Sequence, residues 1–202
     1  MIALTSTGEA EQTLREALPG TCRGVVYADL NTSSAGLKLM LADIAATAGL
    51  RFADVALMSA VPGNGLRTPM LACGQGAAEY ADVFRRFGAS VEVLPGPVGA
   101  AVTRKLVRSV FYKGLAAAVT EALRAGRAAG CQEWIPREHP DEIESATSRT
   151  VDRLERGSQE HARRRADEMA AASELLDELG VPARVARASQ EWLTQLADEA
   201  RP

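Results

Sequence analysis

Gly96-Pro97-Val98-Gly99-Ala100-Ala101-Val102-Thr103-Arg104-Lys105-Leu106-Val107-Arg108-Ser109-Val110-Phe111-Tyr112-Lys113 marks the point where the pattern of the chain changes. Before it, short apolar runs alternate with helical periodicity. After it, from about Val98 to Gly130, the chain reads as one long helix. The stretch opens with small residues, which let a backbone approach a neighbouring strand or a ligand closely. Lys105, Ser109 and Tyr112 or Lys113 then recur at i, i+4 and i+7 or i+8, on one face of a helix. A lysine on such a face beside a sheet is partly desolvated, which favours its neutral form and equips it as an acid or base. The plainer alternative is a solvated lysine on an amphipathic helix.

Upstream, residues 2–6, 24–30, 52–58, 68–73 and 90–94 are apolar runs of strand length. Helices are expected at Glu9–Leu18, Ser33–Ala48 and Gly76–Phe87. The second has an apolar period through Leu37, Met40, Leu41 and Ile44, with Gly49 as its stop. The run at 52–58 suits a buried parallel strand. This alternation predicts an α/β sheet of about five strands with short connections. Downstream of a loop around Trp134–Pro140, three more helices are expected, at about Asp141–Leu154, Ser158–Leu179 and Ala183–Ala200. The reading is therefore an α/β domain over 1–96 and an all-helical domain over 97–202.

The bulk numbers exclude several classes. The chain has 202 residues, 47% hydrophobic and 24% charged, with a net charge of −3. That balance gives no basic surface for sequence-independent nucleic-acid binding. No apolar run reaches the ~18–20 residues of a membrane span, and Met1-Ile2-Ala3-Leu4 lacks the basic start of a signal peptide. Cys22, Cys73 and Cys131 are odd in number and far apart, which suits a reducing, cytoplasmic setting. With two histidines, His139 and His161, a histidine-built metal site is not expected. Only three of the 23 basic residues are lysines: Lys38, Lys105 and Lys113.

Gly74-Gln75-Gly76-Ala77-Ala78-Glu79 follows a strand and opens a helix, the context of a dinucleotide-binding turn. Glu79 stands where the third glycine belongs, and its carboxylate would repel a pyrophosphate. The segment reads as an ordinary strand-to-helix turn.

The Gly96–Ser109 segment resembles the signature of the β-hydroxyacid dehydrogenase family, Gly-x-x-Gly-x-Gly-x-x-x-Lys-x-x-x-Asn. Gly96, Gly99 and Lys105 match, Ala101 takes the third glycine and Ser109 the asparagine. Asp29-Leu30-Asn31-Thr32 resembles the family's Asp-x-Ser-Thr. Asp54-Val55-Ala56-Leu57-Met58-Ser59-Ala60 resembles its substrate loop, with the family serine falling on Met58 and Ser59 one place later. His161–Met169 and Leu179-Gly180-Val181-Pro182 are similar to the closing helices, though the family's lysine–aspartate pair falls on Asp167 and Glu168. The Ala60–Pro69 loop and Arg108–Gly114 resemble an uncharacterised branch, related to 6-phosphogluconate dehydrogenase and to imine reductases.

The resemblance implies a cytoplasmic oxidoreductase using NAD or NADP. Hydride would pass between nicotinamide and the carbinol, keto or imine carbon of a small acid-like substrate. It gives Lys105 the catalytic acid/base role. Asn31 and Thr32 would border the nicotinamide, and Ser59, Ser109, Tyr112 and Lys113 would face substrate. It also implies a homodimer through the helical part, for which Met169, Ala172, Leu175, Leu176 and Leu179 form an apolar seam. The family's first half-sheet, with its Gly-x-Gly-x-x-Gly, finds no counterpart in this sequence. The expectation is an N-terminally incomplete chain, doubtful as an enzyme alone. Two other readings stay open: a non-redox lyase or isomerase reusing Lys105, and a non-catalytic partner whose bare edge strand at Ile2–Ser6 pairs with another half-sheet.

Overall fold

The computed structural model describes residues 1–133 and 144–201. The expected loop at Trp134–Pro140 and the start of the helix placed at 141 lie outside the described residues. Two compact units emerge, Met1–Phe111 and Tyr112–Pro202.

In the first unit, β1 (Ile2–Ala3), β2 (Val26–Asp29), β3 (Arg51–Leu57), β4 (Met70–Cys73) and β5 (Val91–Val93) form one sheet in the order β1-β2-β3-β4-β5. β1, β2 and β3 run parallel, but β4 pairs antiparallel with β3 and β5 runs parallel to β4. The sheet is therefore mixed. The short loop from Met58 to Pro69 accounts for this, because it returns the chain beside β3 without the crossover helix a parallel partner requires. The amide of Met58 bonds the Pro69 carbonyl and closes that turn. β1 is shorter than the expected run at 2–6.

Alternation along each strand feeds two cores. On one face, Tyr27 and Phe52 join Leu14 of α1 (Ala10–Ala17) and Leu41 and Ala45 of α2 (Ala35–Thr47). On the other, Ala28, Ala53, Val55 and Ala72 pack with Tyr80 and Ala81 of α3 (Ala77–Arg85). Period-two side chains and helices on both faces are one arrangement seen twice. The long helix α4 spans Ala100–Ala128.

In the second unit, α5 (Ser148–Glu160), α6 (Ala162–Glu178) and α7 (Arg184–Glu199) follow. The break expected at about 155–157 falls instead at His161, whose φ of −118° and ψ of 22° leave the helical region. Ser158 thus lies in the last turn of α5 rather than starting α6. Leu176, Val181, Ala183 and Ala186 form the core of the unit, with Ala125, Met169 and Leu179 packed against it. Of the apolar seam on α6, Leu176 lies in this core with Met169 and Leu179 against it, and Leu175 is exposed.

Candidate functional site

The carboxyl end of β2 and the middle of β3 carry two aspartates in register, Asp29 and Asp54. Both are buried, and so is Lys38 from the first turns of α2. Ser34 caps α2 by accepting the Leu37 amide at 3.1 Å. The buried face of α2 then runs Lys38, Leu41, Ala45, so helical geometry aims a lysine into the sheet. Its Nζ lies 2.7 Å from Asp29 Oδ2 and 3.1 Å from Asp54 Oδ1. These are charge contacts off the line of a directed hydrogen bond, while the ammonium donates to the Asp29 carbonyl at 2.9 Å. Burying one ammonium between two carboxylates is tolerable only because each charge has a partner, and breaking such a pair costs about 3–5 kcal/mol.

The other oxygen of Asp54 starts α4. Oδ2 accepts the amides of Gly99 at 3.1 Å and Val102 at 3.2 Å. A carboxylate there satisfies orphan donors and meets the positive end of the helix. Cys73 of β4 donates to the same oxygen at 3.5 Å, and its Sγ accepts the Ala101 amide at 3.3 Å. Burial pushes the Cys73 thiol above its usual range, the Ala101 bond opposes the shift and the Asp54 charge adds to it. The thiol packs in the core and hydrogen-bonds Asp54 and the Ala101 amide, and the upward shift disfavours its thiolate.

The small residues of the 96–101 segment have distinct physical reasons. Gly99 has φ +98°, and a Cβ there would meet Ala35 Cβ at 3.1 Å. Ala101 is fully buried against the sheet. Lys105, half-buried, stands one turn beyond Val102, and Ser109 one turn further, also half-buried. Both belong to the first unit, whereas the exposed Tyr112 and Lys113 begin the second.

Asn31, which the resemblance places beside a nicotinamide, makes side-chain hydrogen bonds within the protein. Nδ2 donates to Asp29 Oδ1 at 2.6 Å and to Thr5 Oγ1 at 3.3 Å, and Oδ1 accepts the Thr5 amide at 2.7 Å. Thr32 is exposed, and its carbonyl accepts the Thr7 hydroxyl. The side chain of Asn31 thus ties the loop after β1 to the loop after β2. Just beyond, Ser33 is buried with a hydroxyl that has no hydrogen-bond partner among the described residues, and the buried hydroxyl of Ser59, after β3, has none among them either. Two orphaned hydroxyls beyond the carboxyl ends of parallel strands fit a polar ligand where open α/β sheets take one.

The phosphate end does not fit. The Gly74–Gly76 turn is filled by the chain itself. The Gly76 amide bonds the Phe52 carbonyl, a Cβ on Gly74 would lie 2.8 Å from that oxygen, and Glu79 pairs with Arg51. Among the described residues no cluster of three or more His, Cys, Asp and Glu could hold a metal ion, and no helix is long and apolar enough to cross a membrane.

A conserved hypothetical protein from Sinorhizobium meliloti 1021 is 29% identical over 96% of this chain, with a TM-score of 0.57. The conserved protein MTH1747, of unknown function and described as structurally similar to 3-hydroxyacid dehydrogenases, is 28% identical over 98%, with a TM-score of 0.57. An imine reductase from Myxococcus stipitatus, in complex with NADP+, is 17% identical over 98%, with a TM-score of 0.76. The chain resembles the C-terminal part of the fold of the hydroxyacid dehydrogenase-like proteins and imine reductases. The chain spans 65%, 74% and 76% of the lengths of these three. Residues 127–196 match the family described as Domain of unknown function DUF1932, a stretch within the helical part. Comparison with curated proteins gives no match.

The Asp29–Lys38–Asp54 cluster is the part of this region that sequence reasoning passed over. Its signals were present: a lysine at i−3 and i−7 from Leu41 and Ala45 on an apolar helix, and two aspartates at matching places in apolar strands.

Proposed function

We propose that the protein is an oxidoreductase that uses NAD or NADP to interconvert a small hydroxyacid, keto acid or imine and its redox partner. The observation carrying this reading is the start of α4. Asp54 binds its first amides and Gly99 seats it against Ala35, which presents Lys105 one turn along a fixed helix. The likeness to the NADP+-complexed imine reductase supports the same chemistry. A bound nicotinamide would supply or accept the hydride.

The chain's own residues would handle binding and the proton. Ser33 and Ser59 offer unspent hydroxyls beyond β2 and β3, and the backbone of Asn31 and Thr32 borders the same loops. Lys105 gives or takes the proton at the substrate oxygen or imine nitrogen. Ser109, on its face of α4, offers one donor where an amide would offer two. Tyr112 and Lys113 would bind the acidic end of a substrate, as the resemblance implies.

The test is nicotinamide absorbance at millimolar cofactor with a panel of small keto acids, hydroxyacids and cyclic imines, and calorimetry beside it. Turnover that depends on Lys105 supports the reading. Because the described residues supply no phosphate cradle, binding in the millimolar range is expected. A micromolar affinity would show that a phosphate site lies elsewhere in the chain, and absence of turnover with the whole panel would remove the enzymatic reading.

We further propose a homodimer. Val107, Val110 and Phe111 on α4, and Val151 and Leu154 on α5, are exposed apolar side chains, and α5 buries no residue at all. Apolar helical faces left open to this degree are commonly covered by a partner.

A further inference from the structure

We infer that Lys38 is a positioning residue for α4: with Asp29 it fixes the Asp54 carboxylate that binds the first amides of α4, and through them it sets the place of Lys105. Asp54 is a two-sided group. Oδ1 faces the Lys38 ammonium at 3.1 Å, and Oδ2 accepts the amides of Gly99 and Val102. Asp29 holds the ammonium from the other side at 2.7 Å and is itself held by Asn31. The chain of contacts therefore runs from the loop after β1, through Asn31, Asp29, Lys38 and Asp54, to the first turn of α4. Every side chain in it is buried.

The charges explain why the lysine is required. Two carboxylates occupy register positions on adjacent strands, and the helix end contributes roughly half a positive charge. Without the ammonium, Asp54 Oδ1 loses the group that faces it at 3.1 Å, and the carboxylate is no longer held in the orientation that aims Oδ2 at the Gly99 and Val102 amides. An ion cluster that served only overall stability would carry no such link to one helix. The consequence for catalysis rests on the proposed role of Lys105, but the mechanical claim does not.

Amide deuterium exchange and competitive lysine acetylation separate the two, and neither needs a cofactor. The full chain is compared with Lys38→Met and with Lys38→Met/Asp29→Asn, the second of which carries no surplus buried charge. In the double variant, amides over Gly99–Ser109 are expected to exchange at least about tenfold faster while β2 and β3 keep wild-type protection. The acetylation rate of Lys105 should change relative to Lys113, an internal reference eight residues further along α4. Uniform loss of protection across residues 1–111, unchanged exchange at 99–109, or failure of the double variant to fold would each overturn the inference. A local effect together with no turnover in wild type would leave the inference standing and remove the enzymatic reading instead.

Discussion

Glu121 caps Ala186 across two helices: its Oε1 on α4 accepts the Ala186 amide at 2.8 Å, and its Oε2 takes the amides of Arg184 and Val185 at 2.7 and 2.8 Å. One carboxylate thereby satisfies three of the first amides of α7, which has no capping side chain of its own. Glu121→Ala should cost about 2 kcal/mol and Glu121→Gln about half of that. Denaturant unfolding followed by circular dichroism checks both. Equal midpoints for wild type and Glu121→Ala would show that water replaces the cap without loss.

Two glycines of the α4 region should respond in opposite senses. Gly99→Ala places a Cβ at φ +98° and 3.1 Å from Ala35 Cβ, so it should destabilise by about 2 kcal/mol or more. Gly114, within α4, meets nothing within 4 Å of an added Cβ. Gly114→Ala should stabilise by about 0.5–1 kcal/mol. Thermal unfolding of the two variants is the comparison, and a loss at Gly114 would point to a partner packed against it.

Tyr27 predicts an alkaline limit. Burial, helped by the Asp29 charge, pushes its phenol from 10.0 up to about 12. The folded pKa is raised, so the stabilisation is fully present below pH 10 and is lost as pH rises toward 12. The loss is up to about 2–3 kcal/mol. Tyr27→Phe should flatten that part of the stability–pH curve. It should cost little at neutral pH, because the buried hydroxyl has no hydrogen-bond partner among the described residues. An unchanged alkaline slope in the variant would place the titration elsewhere.

Lys105→Met and Lys105→Arg should both fold and both lose ~10²–10⁴-fold in turnover, since methionine has no amine and guanidinium does not deprotonate. Steady-state rates with whichever members of the keto acid, hydroxyacid and imine panel the wild type turns over test this. Retention of activity by either variant would make Lys105 a structural residue.

The dimer should disappear in Val107→Asp/Val110→Asp, which charges two of the most exposed apolar positions of α4. Light scattering should then fall to the 21.4 kDa of one chain. A wild-type protein already at that mass at micromolar concentration would end the proposal.

The fold was largely legible because its causes are local and periodic. The alternation Tyr27-Ala28-Asp29, the stop at Gly49 after α2 and the small-residue lead into α4 each state their element within a few residues. The direction of β4 was not legible. It depends on how a loop folds back beside β3, which strand composition does not encode. The same holds for the turn at His161, where no glycine or proline marks the break between α5 and α6.

The sequence by itself determined that this chain is a strand–helix alternation followed by helices, and that Lys105 lies one turn past a glycine-led helix start, because period and spacing are properties of neighbouring residues. Only the tertiary structure decided which lysine is buried. Lys38, Asp29 and Asp54 lie up to 25 positions apart, and their charges become partners only when β2 and β3 align in register and α2 folds onto them. It likewise decided that the amide of Asn31 is spent on Asp29 and Thr5. Burial and hydrogen-bond partnership are relations among distant residues, and the chain acquires them by packing.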